Sequence, residues 1–411
     1  MPDGRSPTGY LPLMQSLAAP LAAILAIGLL ALPTTAQVQA GIDILVAEEC
    51  ASLRGRKIGL ITNHTGMTLT GRRTVDVLHE ARDVTLVSLF SPEHGWLGVV
   101  DKKVGDTVDK ATGLKVFSLY GKTRKPTAQM LEGIDTLVFD IQDIGCRFYT
   151  YIATMRAALE AAAEHDIQFV VLDRPNPIGG IAIAGPVLKD ARRDFVGAHT
   201  IPLRHGMTTG ELARMMVGEN GLQVQLTVIA CSGWQRADYW HHTGMTWINP
   251  SPNMRRLTQA LTYPGIGLIE GTNVSVGRGT DTPFEILGAP WCDGKRLATQ
   301  LEQAKLPGVA FVPVRFTPTS SKHKGIECGG VHILVTNWRT FEPVRTGIHI
   351  ACTLRALFTK DWDTKRLDWL LKDEASYEAV LDGTDAESII SKWRRPLNLF
   401  RLRRRPFLLY E

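Results

Sequence analysis

Short apolar runs alternate with amphipathic stretches from residue 56 onward, and this alternation restricts the fold more than any other feature. The apolar runs include KIGLIT, VTLVSLF, TLVFDIQ and IQFVVLDRP, and the stretches between them include GRRTVDVLHEA and YTYIATMRAALEAAAEH. Apolar runs of this length, separated by segments with a helical period, indicate parallel strands joined by helices that cover both faces of a sheet. The sequence therefore predicts an α/β fold with a doubly wound parallel sheet.

The pattern changes in the last third of the chain. Strand-like FVPVRF and VHILVTNW are followed by helix-like VRTGIHIACTLRALF and a charged tail. Because 411 residues exceed one typical domain, we predict two. The doubly wound domain is expected over residues 41–283 and a smaller α+β domain over residues 284–411, with a cleft between them.

The first forty residues are typical of a signal peptide. Arg5 precedes the apolar run PLAAILAIGLLALP, and small residues follow up to VQA. This run is shorter than the roughly 20 residues that span a bilayer, so we expect no stable membrane insertion after cleavage. Residues 1–40 are predicted to be removed, with a mature chain that begins near Gly41 and is periplasmic or secreted. Export permits disulfides, and whether any of the six cysteines pair stays open.

Several functional classes lose support. The net charge of +5 is spread along the chain apart from arginines in the tail, and no basic stripe with interleaved aromatic residues indicates a nucleic-acid partner. The phosphate-binding pattern GxxxxGK[ST], a GxGxxG after the first strand and the GxSxG elbow are missing. We expect no cofactor and no metal, since His64, His94, Asp140 and Asp143 lack the spacing of a metal site and are better explained as hydrogen-bonded loop residues.

Polar side chains follow four of the predicted strands, where the loops of an open α/β sheet converge on ligands. They are Asn63 and His64, Glu93 and His94, Asp140, Asp143, Arg147 and Tyr149, and Asn176. A second polar stretch, EGTNVSVGRGTDTPFE, contains Asn273 and Arg278, with aromatic residues nearby. Many hydrogen-bonding groups beside apolar faces suit a sugar ligand.

The same segments resemble the exo-β-N-acetylmuramidase family. The motifs are GLITNHTG, FSPEHG, FDIQDIGCRFYTY, VVLDRPNP, HGMTTGE, NPSPNM, EGTNVSVGRGTDTPFE, FTPTSSKHKG and GGVHILVT, which span nearly the whole mature chain. The resemblance implies a Rossmann-like domain followed by a smaller C-terminal domain. It also implies an exo-acting hydrolase that releases N-acetylmuramic acid from the non-reducing end of peptidoglycan fragments without a cofactor, so the expected partners are muropeptides or disaccharides.

Within that resemblance Glu93 is the catalytic candidate, as the general acid that glycoside hydrolysis requires. Asp143, Asp140 and Tyr149 are candidates for the second catalytic role. The lactyl carboxylate of muramic acid calls for an arginine, with Arg278 preferred to Arg147. Other expected substrate-binding residues are Asn63, His64, His94, Asn176 and Asn273. An exported sugar-binding protein without catalysis is the alternative, and the sequence leaves open whether the 2-acetamido group acts as the nucleophile.

Overall fold

Two β-sheets organise residues 37–98 and 105–411, the parts of the chain that a computed structural model describes. The predicted signal peptide lies outside these residues except for positions 37–40. The strands are β1 Lys57–Thr62, β2 Thr85–Ser91, β3 Thr107–Val108, β4 Lys115–Ser118, β5 Thr136–Asp140, β6 Gln168–Leu172, β7 Leu226–Ile229, β8 Ile286–Ala289, β9 Val309–Phe316 and β10 Cys328–Val335. The helices are α1 Gly41–Ala47, α2 Thr74–Glu80, α3 Tyr151–Glu164, α4 Thr209–Asn220, α5 Leu257–Ile266, α6 Gly294–Gln303, α7 Pro343–Leu357, α8 Asp368–Leu371, α9 Glu374–Leu381, α10 Ala386–Ser391 and α11 Arg394–Arg404.

The larger sheet has seven strands in the order β3-β4-β2-β1-β5-β6-β7. All neighbours in it are parallel except β3 and β4. The chain runs from β1 outward to β2 and β4, and then returns to place β5 on the other side of β1. This reversal is the topological switch point, outside which ligands bind in open α/β sheets.

The strands of this sheet read as continuous apolar runs because both faces are buried. Alternate side chains enter different cores: Phe139 lies in the larger hydrophobic cluster, whereas Val138 lies in the smaller one. In β6, Val171 and Val170 divide in the same way. A period of two along a strand directs successive side chains to opposite faces, so the sheet is covered on both sides.

The second sheet has three antiparallel strands in the order β8-β10-β9. Its buried residues, such as Val331, belong to the same hydrophobic cluster as Phe139 of the main sheet. Helix α7 packs closely on α5, where a Cβ added to Gly347 would lie 2.4 Å from the carbonyl oxygen of Gly265. The predicted fold class, a parallel α/β sheet followed by a smaller α+β part, is confirmed. The boundary at residues 283 and 284 stays a prediction.

The C-terminal tail returns to the main sheet. The hydroxyl of Tyr410 donates to Asp173 Oδ2 at 2.6 Å, just after β6, and the guanidinium of Arg404 donates to the carbonyl oxygens of His205 and Gly206. Most of the tail arginines lie in α11, and Arg404 is buried. The tail therefore forms part of the folded structure.

Candidate functional site

A cavity of about 320 Å³ opens where loops from the carboxyl ends of the main sheet meet the loops that lead into the second sheet. Glu93 follows β2, and Tyr149 and Thr150 lie in the connection from β5 to α3. Glu270 and Arg278 enter from the chain between α5 and β8. Groups that are distant in the sequence therefore face one enclosed space.

Glu93 is held at the cavity by a side-chain hydrogen bond and a tight turn. The hydroxyl of Thr150 donates to Glu93 Oε2. The next two residues, His94 and Gly95, have positive φ angles of 69° and 75°, and the amide of Gly95 donates to the carbonyl oxygen of Pro92 at 3.1 Å. The FSPEHG motif is thus a left-handed turn that points a carboxyl group into the cavity, and His94 lines the same space.

Aromatic residues form one wall of the cavity. The ring of Tyr263 lies edge-on to Phe284, with centroids 4.6 Å apart, and Tyr149 lies edge-on to Tyr263 at 6.0 Å. Burial raises the pKa of the Tyr149 and Tyr263 hydroxyls well above their usual range. Both therefore remain neutral hydroxyls at physiological pH and can donate hydrogen bonds.

A second carboxylate, Glu270, shares the cavity with Glu93. Arg278 Nε lies 2.5 Å from Glu270 Oε1, and both side chains are mostly buried. The guanidinium of Arg278 also stacks on the ring of Phe284, 5.4 Å from its centroid. Glu270 was not among the residues predicted from the sequence. It lies near the end of a short 3-10 helix and Arg278 in an irregular, glycine-rich segment, so no regular element predicts that the two side chains meet.

The mouth of the cavity is lined by Tyr120, Arg124, Phe195 and Trp369, which we call the rim. The guanidinium of Arg124 lies 3.9 Å from the ring centroid of Phe195 and 5.6 Å from that of Tyr120. Trp369, on α8, is 40% exposed. These residues could not be predicted from the sequence, because their segments carry no motif that distinguishes them from ordinary loops.

Four of the predicted site residues do not line the cavity because their polar groups are bonded within the protein. Asp140 is fully buried and receives two hydrogen bonds from Arg174, at 2.5 and 3.0 Å. Asn63 Nδ2 donates to the hydroxyl of Tyr151 at 3.1 Å, and the remaining two, Asn176 and Asn273, bond mainly to backbone groups. Asn176 also packs under Gly145, whose φ is 79° and where an added Cβ would lie 2.4 Å from Asn176 Oδ1.

Arg147 and His64 also lie outside the cavity. Arg147 is 1% exposed, and its guanidinium donates to carbonyl oxygens that include those of Leu370 and Leu371 at 2.9 Å. These bonds join the loop after β5 to α8, so Arg147 positions the loop that carries Tyr149. His64 Nε2 lies 2.6 Å from the carbonyl oxygen of Asn249. Burial lowers the pKa of His64.

Asp143 lies behind the cavity wall. Its Oδ2 accepts from the Gly145 amide at 2.7 Å and lies 4.0 Å from His205 Nε2, while its Oδ1 is buried without a hydrogen-bond partner. Burial raises the pKa of Asp143 to about 7 and lowers the pKa of His205 to about 3. Neither residue lines the cavity.

Other chemistries find little support. Within residues 37–98 and 105–411 no group of three or more His, Cys, Asp or Glu side chains is arranged to hold a metal ion. All six cysteines are unpaired, and burial raises the pKa of the Cys146 thiol well above its usual range, which opposes a nucleophilic thiolate. In the same part of the chain, no helix combines the length and the apolar character that crossing a membrane demands.

Two family models cover most of the chain. Residues 58–258 match the N-terminal model of exo-β-N-acetylmuramidase NamZ, and residues 261–410 match its C-terminal model. A curated relative, the peptidoglycan β-N-acetylmuramidase NamZ of Bacillus subtilis strain 168, is 44% identical over 379 residues, which are 91% of this chain and 92% of the relative.

Two crystal structures of DUF1343 family proteins from Bacteroides fragilis NCTC 9343 share the fold. One superposes with a TM-score of 0.86 at 38% identity, and the other with a TM-score of 0.74 at 31% identity. Each comparison covers 91% of this chain and 99% of the other. The sequence motifs, the fold and these matches together establish that this chain belongs to the exo-β-N-acetylmuramidase NamZ family.

Proposed function

We propose that this protein is an exo-acting glycoside hydrolase that releases N-acetylmuramic acid from the non-reducing end of peptidoglycan fragments, and that the reaction takes place in the cavity containing Glu93. The observation that carries the proposal is the presence of two carboxyl groups, Glu93 and Glu270, in one partly apolar cavity of a family member. Glycoside hydrolysis uses such a pair, one to protonate the leaving oxygen and one to act on the sugar.

Glu93 is the general acid. Its proton passes to the glycosidic oxygen as the bond from that oxygen to the anomeric carbon breaks. Water then adds to the anomeric carbon, and the proton that the water loses returns to the Glu93 carboxylate and restores the acid. The hydrogen bond from Thr150 fixes one carboxyl oxygen, Oε2, which leaves Oε1 to face the substrate. The turn at His94 and Gly95 orients the side chain and takes no part in the chemistry.

Glu270 takes the second role, for which Asp143, Asp140 and Tyr149 were the candidates from the sequence. Arg278 Nε holds Glu270 Oε1 at 2.5 Å in the cavity, and a carboxylate placed there stabilises the oxocarbenium-like sugar as the bond breaks. Asp140 is bonded to Arg174 and Asp143 lies behind the wall, so neither reaches this space. Tyr149 contributes a neutral hydroxyl that orients the sugar.

Arg278 binds the lactyl carboxylate that distinguishes muramic acid from glucosamine. Its Nε contacts Glu270, and its guanidinium lies among the groups that line the space proposed for the sugar. The planar guanidinium lies over the ring of Phe284, and this contact orients it. Arg147, the second candidate, donates to backbone carbonyls and does not line the cavity.

The decisive variant is Glu93→Gln, which keeps the size of the side chain and its bond from Thr150. Turnover of an N-acetylmuramyl–N-acetylglucosamine disaccharide should fall about 100- to 10,000-fold, the usual contribution of a general acid. An aryl glycoside should lose less, because its leaving group needs little protonation. Hydrolysis is measured by release of free N-acetylmuramic acid.

The matched control is Glu132→Gln, at an exposed glutamate outside the cavity, which should keep full activity. Near wild-type turnover of both substrates by a folded Glu93→Gln variant would exclude Glu93 as the acid. If the wild type cleaves the disaccharide and Glu93→Gln binds it without cleaving it, the protein is an enzyme and not only a sugar-binding protein. Activity that survives a chelator would further argue against a metal-dependent hydrolase.

Export to the periplasm or the medium, in the service of cell-wall turnover, is part of the proposal. The signal-like sequence of residues 1–40 supports it, and the packing of residues 38–40 bears on where cleavage occurs. Val38 is 2% exposed, Gln39 and Ser232 exchange two backbone hydrogen bonds, and Ala40 is fully buried. These contacts favour a mature chain that retains residues 38–40, so cleavage after Ala36 fits better than a start at Gly41. N-terminal sequencing of the exported protein tests this, and a first residue of Gly41 would contradict it.

A further inference from the structure

The rim is aromatic and cationic, and two of its four residues, Arg124 and Trp369, are exposed. A volume of about 320 Å³ is at the small end of ligand pockets, which hold roughly 300 to 1,000 Å³. A cavity of this size suits one sugar unit. In an exo-acting reaction the rest of the bound substrate must therefore extend out through the mouth of the cavity, where it contacts the rim.

Arg124 is positioned to bind an uncharged polar group at the mouth of the cavity. Its side chain is exposed, and the stack on Phe195 holds the planar guanidinium in place. Among the described residues no carboxylate forms an ion pair with Arg124, and the side chain is exposed. Asp194 lies nearby, but its Oδ2 is 2.7 Å from Lys372 Nζ.

Trp369 supplies an apolar face on the other side. It lies on α8, 40% exposed, and Arg366 stacks 4.7 Å from its ring centroid. Sugar rings present C–H faces that pack on aromatic rings and hydroxyl groups that accept hydrogen bonds from a guanidinium. A shallower depression of about 290 Å³ shares Arg124, Asp194 and Phe195 with the cavity and extends along α3, so the surface continues outward from the mouth.

Resting on the proposed function, we infer that the rim is the leaving-group subsite: Trp369 stacks on the hexosamine that is released, and Arg124 donates hydrogen bonds to its hydroxyl or acetamido oxygens. The reaction itself uses the groups inside the cavity. The rim therefore determines which leaving groups are accepted, and it should favour a sugar over a small alkyl group.

The test compares two substrates that need the same acid assistance. One is the N-acetylmuramyl–N-acetylglucosamine disaccharide, and the other is the methyl β-glycoside of N-acetylmuramic acid, which carries no sugar at the rim. The variants are Arg124→Met and Trp369→Ala, with Trp369→Leu as a smaller change. Each should lower kcat/KM for the disaccharide about 3- to 10-fold, the usual range for one aromatic or cation contact, and leave the methyl glycoside unchanged.

The matched controls are Arg315→Met and Leu399→Ala, which remove an exposed arginine and an exposed apolar side chain outside the cavity. Thermal unfolding confirms that each variant is folded. Equal losses on both substrates, or no loss on the disaccharide, would overturn the subsite. Failure of the wild-type protein to cleave either substrate would instead contradict the proposed function, so the two outcomes are distinguishable.

Discussion

Two sets of polar residues lie at the same edge of the main sheet and serve different purposes. The cavity set, Glu93, Glu270 and Arg278, lines the cavity, where Thr150 donates to Glu93 and Arg278 pairs with Glu270. The buried set, Asp140, Arg174, Arg147 and Asn176, has its charges and amides bonded to other protein groups. Both sets lie in loops next to apolar runs in the sequence. The two sets differ in their surroundings: the cavity set lines the cavity, whereas the buried set is enclosed by protein groups.

This difference gives each set its own experimental signature. Removing a group from the buried set leaves its partner buried, where neither water nor another protein group replaces the lost hydrogen bond. The free energy of unfolding therefore falls. Removing a group from the cavity set affects substrate binding and turnover, because water can fill the space in the free enzyme. Variants should therefore divide into two classes, and any variant that falls into the wrong class breaks the comparison.

The largest effect on stability is expected at the buried ion pair of Arg174 and Asp140. Arg174→Met leaves the carboxylate of Asp140 buried and uncompensated, so the free energy of unfolding should fall by about 3 to 5 kcal/mol. Denaturant unfolding measures the change. Arg315→Met breaks an exposed ion pair with Glu327 and should cost less than about 1 kcal/mol. A loss at Arg174 as small as at Arg315 would mean that the pair is not buried in solution.

A pH-dependent effect is expected at Asp143. Its pKa is about 7 in the folded protein and has an ordinary value near 3.8 when exposed, so the native state binds the proton more tightly. Stability contributed by this group is therefore complete at acid pH and is lost as pH rises from about 4 to about 7. Asp143→Asn keeps the acceptor for the Gly145 amide and removes the ionisation.

At pH 8 the Asp143→Asn variant should be more stable than the wild type by roughly 2 to 4 kcal/mol, from a shift of about three pKa units. At pH 4 the two proteins should be nearly equal. His205, with its pKa lowered to about 3, contributes the opposite slope in acid in both proteins, so the difference between the two curves reports mainly on Asp143. Parallel stability curves from pH 4 to 8, or loss of turnover in the variant, would place Asp143 in the cavity set.

Arg278 should affect recognition more than stability. Arg278→Met removes a charge-assisted pair worth about 1.5 to 3 kcal/mol, so binding of N-acetylmuramic acid should weaken about 10- to 150-fold. Binding of N-acetylglucosamine should change much less, since it has no lactyl carboxylate. Titration calorimetry measures both sugars. Glu270→Gln is the companion variant, because it keeps Arg278 and should reduce turnover without removing the preference for muramic acid. Equal losses of affinity for the two sugars in Arg278→Met would show that another residue binds the lactyl carboxylate.

The fold was accessible from the sequence because its signals are local. KIGLIT, VTLVSLF and TLVFDIQ are continuous apolar runs because both faces of their strands are buried, and they coincide with β1, β2 and β5. The start of α4 is also set locally, because Thr208 and Glu211, three residues apart in the sequence, form a capping box there. Strands β3 and β4 and helix α1 were not predicted, because short segments carry too few residues for a period to appear.

The division of the polar residues was not accessible from the sequence. Asp140 and Glu93 each lie at the end of an apolar run. They differ because Arg174 lies next to Asp140 and forms a buried ion pair with it. Arg147 and Arg278 both belong to motifs of the family, yet two of the carbonyl oxygens that bind Arg147 come from residues more than 200 positions away in α8. Such partners depend on tertiary packing, which no local pattern specifies.

The smallest expected effect concerns Thr150, where the cavity set meets the scaffold. Thr150 precedes α3, but its hydroxyl does not cap the helix and donates to Glu93 Oε2 instead. Thr150→Val keeps the shape and removes this one donor, so stability should be unchanged while kcat for the disaccharide falls about 2- to 12-fold, the equivalent of a hydrogen bond of roughly 0.5 to 1.5 kcal/mol. The aryl glycoside should be affected less, because it depends less on the acid. Thr150→Ser restores the hydroxyl and should recover most of the activity. If Thr150→Val instead lowers stability and affects both substrates equally, the hydroxyl supports the loop rather than the acid, and Thr150 belongs with the buried set.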